Sequence, residues 1–352
     1  MREATLTVST TKLSFEESLH ESVVLKELCS GCAACVLVCP FNCLEYFEEK
    51  PSLTKKCEIC GICPKVCPRF EFSEALLEKL VFERERQPSE EFGFYGQLAI
   101  AQATDNNILQ SCQDGGVVSA LLTYAFKNGI IDSAIISDTS HEKPWFPVPR
   151  LASSPEEVLA CAGTRYTYSP NLLALQEAVQ QKKKSLAFVG TPCQIQSIRK
   201  IEAFPLRKYS GMIKFTVGLM CTEAFTYEGL MRRHIEGVLG VNLNDVRKIN
   251  IKGKVLVTTK SGETKTIPLQ EAKQYTRKGC LPCRDFSAEL ADISTGGLGL
   301  NGWTFTVIRT RKGEEIFKGA ENAATIRTRP VEEEKFALDL LLKLTKKKRK
   351  VA

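Results

Sequence analysis

A chain of 352 residues, 43% hydrophobic and 25% charged, is globular in composition and longer than one hydrophobic core supports, so two or more domains are expected. Its apolar runs, such as Ile130-Ile131 and Leu340-Leu341-Leu342, fall far short of the ~20 residues of a spanning helix, which argues against a helical integral membrane protein. The net charge of +7 gathers in Lys343, Lys346, Lys347, Lys348, Arg349 and Lys350, leaving a nearly neutral body for which no nucleic-acid partner is expected.

Residues 1–26 form an N-terminal extension that alternates polar and apolar residues. It has neither the apolar stretch nor the small-residue cleavage site of a signal peptide, so a cytoplasmic location is expected. Fifteen cysteines must then be explained in a reducing compartment, where clustered thiols bind metal or do redox chemistry more often than they form disulfides.

Residues 27–70 supply the explanation. Cys29, Cys32, Cys35 and Cys39-Pro40 follow the spacing C-x2-C-x2-C-x3-C-P, and Cys57, Cys60, Cys63 and Cys67-Pro68 repeat it 28 residues on. Three thiolates spaced this way cap three corners of one cubane, while the fourth is carried onward to the other. The expected ligand sets therefore cross: Cys29, Cys32, Cys35 and Cys67 hold one 4Fe-4S cluster, and Cys57, Cys60, Cys63 and Cys39 the other. Zinc is the competing reading of C-x2-C pairs, but four ligands per ion fit two triplets ending in Cys-Pro poorly. Cys43 stands outside the pattern and reads as a packed thiol.

Residues 71–94 read as a linker helix, charged from 71 to 86 and closed by Pro88. Over 95–330 the pattern becomes α/β, with strands at 98–101, 134–136 and 186–189 and helices at 115–127, 171–181 and after Pro192. A β-rich segment follows at 246–251, 254–259 and 264–267, with Ser261-Gly262 as a hairpin turn, and then a last hairpin pairing 303–310 with 315–318. Residues 331–352 read as a closing helix with a basic tail. The fold class is thus α+β or α/β, with a two-cluster ferredoxin module fused to an α/β domain.

Three glycine-rich turns punctuate that domain: Gln113-Asp114-Gly115-Gly116, Ala162-Gly163-Thr164-Arg165-Tyr166, and Ser294-Thr295-Gly296-Gly297-Leu298-Gly299. Each either lets backbone N–H groups approach a phosphate or is plain turn chemistry, because none is a GxGxxG fingerprint. A second group of cysteines, Cys193 and Cys221 at strand ends and the pair Cys280 and Cys283, is either one further cubane or a set of buried thiols and a redox pair. His20, His141 and His234 are scattered and read as surface or packing residues.

These turns and cysteines, in order, carry a resemblance. The segments from Gln113 to Ala120, Ala162 to Pro170, Val189 to Gln194, Cys221 to Glu223 and Gly279 to Gly296 resemble the beta subunit of coenzyme F420-reducing hydrogenase. With the fused module, the whole chain resembles the electron-input subunit of archaeal F420 dehydrogenase complexes. The resemblance implies FAD bound among Asp114, Gly115, Gly116, Gly163, Thr164, Arg165, Tyr166, Thr191, Gly296 and Gly297, and a third 4Fe-4S cluster on Cys193, Cys221, Cys280 and Cys283. It implies an oxidoreductase that takes hydride from reduced coenzyme F420 at FAD and passes single electrons through the clusters to a partner complex, with no acid-base residue required. That partner is expected to be a membrane complex reducing a quinone or methanophenazine. The alternatives are a ferredoxin- or heterodisulfide-reductase-linked subunit, a flavin-free relay, and a reductase of a chlorophyll derivative, which should carry a Ser- and Arg-rich transit peptide. Coenzyme F420 has an acidic tail, so Arg165 is expected either to contact an anion or to pin its own turn through a carboxylate. The tail from Lys343, behind the helical face of Phe336, Leu340, Leu341 and Leu344, is expected to dock peripherally on an acidic membrane surface; a solvated end, and core packing of the apolar face, are the plainer readings.

Overall fold

The internal duplication of the cysteine motif is repeated in the backbone. A computed structural model describes residues 12–204 and 206–350; the first part of the N-terminal extension lies outside the described residues. The helices Ala34–Val38 and Ile62–Val66 occupy equivalent positions in the two repeats, each entered through a left-handed residue, Ala33 or Gly61, and left through an extended cysteine, Cys39 or Cys67. Gly31 and Ile59, two residues earlier, are left-handed as well. This winding keeps each three-cysteine loop tight. Between the repeats runs a two-stranded ribbon, β1 (Leu44–Phe47) and β2 (Lys50–Leu53). The helix Glu16–Val24 in front of them buries Leu19 and Val23, and with Phe15 belongs to the module's core.

The expected linker helix is shorter than its charge pattern suggested. It runs over Glu74–Phe82 and stops where Glu83 turns left-handed and returns its N–H to the Lys79 carbonyl, a common helix ending.

The strands that follow are β3 (Gln97–Ala103), β4 (Ser133–Thr139), β5 (Pro147–Ala152), β6 (Leu186–Gly190), β7 (Ile213–Leu219), β8 (Val246–Ile251), β9 (Lys254–Thr259), β10 (Thr264–Pro268), β11 (Ile293–Gly296), β12 (Thr304–Ile308) and β13 (Ile326–Arg329). Eight of them form a mixed sheet in the order β13-β3-β12-β11-β7-β6-β4-β5, with β4, β6, β7 and β11 parallel at its centre. β6 is buried at every residue, as a parallel strand covered on both faces must be. Alternate residues feed opposite cores. Leu186, Phe188 and Ile213 join Ile195, Ile198 and Ile201 of the helix Pro192–Ala203, whereas Ala187, Val189 and Val217 face the helices Val117–Lys127 and Arg311–Asn322. The first of these cores also contains Cys32, Cys35, Leu37, Val66 and Cys67. The ferredoxin module is therefore packed onto one face of the sheet through the helix that begins beside Cys193.

The β-rich segment is an antiparallel meander, β8-β9-β10, closed by the helix Tyr227–Val238 over its own core. His234 is buried there, edge-on to the Tyr275 ring. The expected last hairpin is replaced by a strand and a helix. Residues 315–318 lie inside the helix Arg311–Asn322, where Ile316, Phe317 and Ala320 share a buried face and Thr310 caps the first turn; β12 pairs instead with β11 and β3.

The terminal helix Lys335–Lys350 buries Ala337, Leu341 and Thr345. Leu340 and Leu344 pack partly buried beside Phe92, Phe286 and Leu300. Most of the apolar face assigned to membrane docking is thus core, with Phe336 exposed. Three of the basic residues make contacts within the chain: Lys346 with Glu91 at 2.9 Å, Arg349 with Glu289 at 2.6 Å, and Lys348 with the Cys280 carbonyl at 3.4 Å. Among the described residues no helix is long and apolar enough to cross a membrane.

Candidate electron-transfer site

The structure gathers twelve cysteines into three neighbourhoods of four. Cys35 is buried within electrostatic reach of Cys32, Cys29 and Cys67, and burial followed by their repulsion pushes its thiol well above the ordinary value. Burial and then Cys32 push Cys67 up to about 12. Cys63 is raised in the same way, by burial and then by Cys60, Cys57 and Cys39, and those four thiols line one cavity with Phe15, Leu44 and Gly61. Within electrostatic reach, the thiols thus group as Cys29, Cys32, Cys35 and Cys67, and as Cys39, Cys57, Cys60 and Cys63. Cys221 is raised by burial, then by Cys280, with Cys193 and Cys283 also within reach, so strand ends and the 280–283 pair converge.

Thiols pushed up in this way ionise together only around a positive body, which is the chemistry a metal cluster supplies. Among the described residues no three Cys, His, Asp or Glu side chains converge as a single ion requires, and zinc would need four thiolates about 2.3 Å from one centre. The sets suit a larger body. Their surroundings suit the net negative charge of such a body together with its four thiolates. Arg69 is half-buried; burial works against its charge, but Cys283 and Cys193 keep its pKa above the ordinary value. Arg277 is buried against the Tyr168 ring at 5.1 Å and pairs with Glu49. The Nε atoms of both arginines are buried without a hydrogen-bond partner among the described residues. Lys200 donates to the Cys67 and Phe70 carbonyls at 2.7 and 2.6 Å, and burial draws its pKa down to about 8.

Donors also reach the sulfurs themselves. Backbone N–H groups of Phe15, Gly31, Cys43 and Ala224 donate to Cys57, Cys29, Cys39 and Cys280. Cys43, outside the motif, thus serves through its backbone while its side chain is packed. Tyr168 Oη lies 3.3 Å from Cys193 Sγ and Thr191 Oγ1 3.4 Å from it. The three sets stand in sequence: Cys193 is within reach of Cys32 and Cys29, and Cys35 of Cys63.

The third set sits at the carboxyl ends of parallel strands, Cys193 after β6 and Cys221 after β7, which is where open α/β sheets bind ligands. The glycine-rich turns lie at the same edge but differ in what they leave free. Asp114 packs against Gly297, where a Cβ would collide with its carboxylate, and Gly296 leaves room only for Met220. Gly115 donates its N–H to Thr304 Oγ1 at 3.0 Å. Gly116 is left-handed, φ 71°, and a Cβ there would stand 2.7 Å from Ile108 Cγ2. Its glycine is thus required by its own neighbours, a packing reason that stands apart from any phosphate. Thr191 caps the helix Pro192–Ala203 in a capping box with Gln194. Gly163 differs: it is exposed with φ 105°, and a Cβ would meet only the Ser111 carbonyl, at 3.9 Å. Thr164 adjoins it, half-buried.

Arg165 resolves to the second of its two readings. Its guanidinium donates to the Cys161 and Gly163 carbonyls and lies 3.8 Å from Asp138, so it pins the turn. Two lysines that sequence alone did not single out stand near Asp114 instead. Lys248 of β8 donates to the Cys112 and Gln113 carbonyls, and exposed Lys252 to Asn301 Oδ1 at 2.7 Å. Tyr166 shares this corner, its hydroxyl 3.4 Å from Gln113 Nε2.

Comparison with known proteins defines the class. Residues 98–176 and 183–334 match the N-terminal and C-terminal models described as coenzyme F420 hydrogenase/dehydrogenase, beta subunit, and residues 22–45 match a 4Fe-4S binding domain. The chain belongs to the family of coenzyme F420 hydrogenase/dehydrogenase beta subunits. It is 41% identical over 265 residues to the coenzyme F420 hydrogenase subunit beta of Methanothermobacter thermautotrophicus, covering 74% of this chain and 93% of the relative. It is 31% identical over 343 residues to an F(420)H(2) dehydrogenase subunit of Methanosarcina mazei, covering 93% of this chain and 91% of that one. A chain in the structure of the F420-reducing NiFe hydrogenase complex from Methanosarcina barkeri superposes with a TM-score of 0.72 at 39% identity, over 74% of this chain and 91% of the other.

Proposed function

We propose that this chain oxidises reduced coenzyme F420, the hydride passing to a bound FAD and single electrons passing through three 4Fe-4S clusters to a partner complex. The observation that carries the reading is the sequence of thiol sets, from Cys193, Cys221, Cys280 and Cys283 through Cys29, Cys32, Cys35 and Cys67 to Cys39, Cys57, Cys60 and Cys63, beginning at the ligand-binding edge of the sheet. The dehydrogenase subunit aligns with 93% of this chain and 91% of its own length, whereas a coenzyme F420-dependent sulfite reductase aligns with 87% of this chain but 48% of its own length, which favours dehydrogenase chemistry.

Bound FAD supplies the exchange between a two-electron hydride and single electrons. The chain supplies the rest. Gly163 and Thr164 offer a turn that a flavin can approach closely, whereas Asp114 to Gly116 and Gly296-Gly297 brace the wall behind it. Lys248 and Lys252 present positive charge toward an acidic tail. Half-buried Arg69 and buried Arg277 and Lys200 offset the negative charge of the clusters. The packed helix Pro192–Ala203 fixes the third set against the first and excludes water between them.

The test is anaerobic mixing of the reconstituted chain with reduced coenzyme F420 and, in parallel, with NADH, following flavin and cluster absorbance. Bleaching of both by reduced F420 alone is expected. A preparation without releasable FAD that still accepts electrons would make the chain a flavin-free relay, and bleaching by NADH would move it to another substrate class.

A further inference from the structure

The terminal helix ends at the third thiol set. Ala337, Leu341 and Thr345 seat one face of the helix Lys335–Lys350 in the core, and the next turn on that face carries Lys348 and Arg349. Arg349 is held between Glu289 at 2.6 Å and Glu74 at 3.5 Å, and Lys346 by Glu91 at 2.9 Å. With the turn fixed on both flanks, half-buried Lys348 points its ammonium at the loop between Arg277 and Cys283, and its Nζ donates to the Cys280 carbonyl at 3.4 Å.

We propose that Lys348 is a positioning residue of the third cluster, its ammonium beside Cys280 and Cys221 favouring the reduced state. This rests on the reading of Cys193, Cys221, Cys280 and Cys283 as one 4Fe-4S site. Cys221 and Cys280 both lie within electrostatic reach of this ammonium. Reduction by the flavin adds one electron to the cluster without requiring a proton, so the cluster becomes more negative by one charge. A fixed cation nearby stabilises that added charge more than it stabilises the oxidised form, and the potential rises. The basic tail thereby gains a function inside the molecule: it makes the last turn of the chain part of the redox site and keeps the first acceptor after the flavin easy to reduce.

The test is an EPR-monitored redox titration of the full-length reconstituted protein and of the variants Lys348→Met, Lys348→Gln, Lys348→Arg and Lys347→Met, with iron counted in each. Lys348→Met and Lys348→Gln are expected to make one of three midpoints more negative by about tenfold in the one-electron equilibrium, about 59 mV. Lys348→Arg and the exposed control Lys347→Met should leave it in place. Unchanged midpoints in Lys348→Gln at full iron content overturn the proposal, since glutamine can preserve the hydrogen bond while discarding the charge. About eight iron atoms in the unaltered chain would remove the third cluster, and this inference with it. About twelve iron with unmoved potentials would sink only the role of Lys348.

Discussion

Ser197 Oγ lies 3.3 Å from Cys32 Sγ and 3.0 Å from the Cys193 carbonyl, so its one proton is shared between the two acceptors. One hydroxyl therefore joins Cys32, a proposed ligand of the first cluster, to Cys193 of the third set, one helical turn away. A donor to a cluster sulfur stabilises the more negative, reduced state. Ser197→Ala is expected to lower the potential of the Cys29, Cys32, Cys35 and Cys67 cluster by about 1 kcal/mol, roughly 40 mV for one electron. Ser197→Thr should keep the bond and the potential. A redox titration in which alanine and serine coincide would show that the contact is packing alone.

Cys193→Ala separates the third set from the other two. The variant is expected to hold about eight iron atoms where the unaltered chain holds about twelve, each cubane carrying four, with FAD content unchanged. Reduced coenzyme F420 should then bleach the flavin at the normal rate while reduction of the N-terminal clusters slows by orders of magnitude. Normal cluster reduction in stopped flow would place Cys193 off the path.

Arg165 and Lys252 are expected to fail in different ways. Arg165→Ala removes bonds to the Cys161 and Gly163 carbonyls, and charge-assisted bonds of this kind contribute about 1.5–3 kcal/mol each before relaxation. Its melting temperature should fall by several degrees. Lys252→Ala touches only an exposed contact to Asn301, so stability should stay level while KM for reduced F420 rises several-fold and loses part of its salt dependence. Identical KM and salt response in Lys252→Ala would remove it from the substrate entrance.

Gly116→Val should destabilise the chain whether or not flavin is present. The left-handed backbone disfavours a branched residue by about 1–2 kcal/mol, and the Cβ would displace Ile108 and press on Ala103, with 3.3 Å to its Cβ. Melting of the flavin-free protein decides the matter. A normal melting temperature with lost FAD would restore Gly116 to the phosphate site.

The eight N-terminal cysteines were legible as proposed ligands because a cubane takes three of its four thiolates from one short loop, which fixes their spacing in the sequence. The third set was not legible in that way: Cys193, Cys221 and the 280–283 pair come from separate strand ends, and only the family resemblance joined them before the sheet did. At Gly116 a packing reason, the side chain of Ile108, is invisible in a local motif. Residues 315–318 read as a strand because four residues cannot reveal the period that Ile316, Phe317 and Ala320 show across a helix. Lys248, Lys252 and Lys348 look like any surface lysine until tertiary structure places them. The basic tail drew a membrane reading because net charge carries no information about Glu74, Glu91 and Glu289, which meet it from distant parts of the chain.

Glu289 supplies the last prediction. It is 1% exposed, and burial, then repulsion from Asp285, raises its pKa well above the ordinary value, while Arg86 opposes the rise and Glu74 adds to it. Arg349 closes the arrangement at 2.6 Å. A carboxyl whose folded pKa is raised binds its proton more tightly in the folded state, so its contribution is complete below about pH 4.3, the ordinary glutamate value, and is lost as pH rises through the folded pKa. Arg349→Met should raise that pKa further and widen the loss. The variant should match the unaltered chain near pH 4.5 and fall behind as pH increases, by about 1–2 kcal/mol at pH 8, below the 3–5 kcal/mol of a fully buried pair because Arg349 is partly exposed. Apparent melting temperatures between pH 4.5 and 8 measure the gap, with Arg349→Lys expected to recover part of it. A gap that is constant with pH, or that closes toward pH 8, would show that Arg349 contributes packing and not charge.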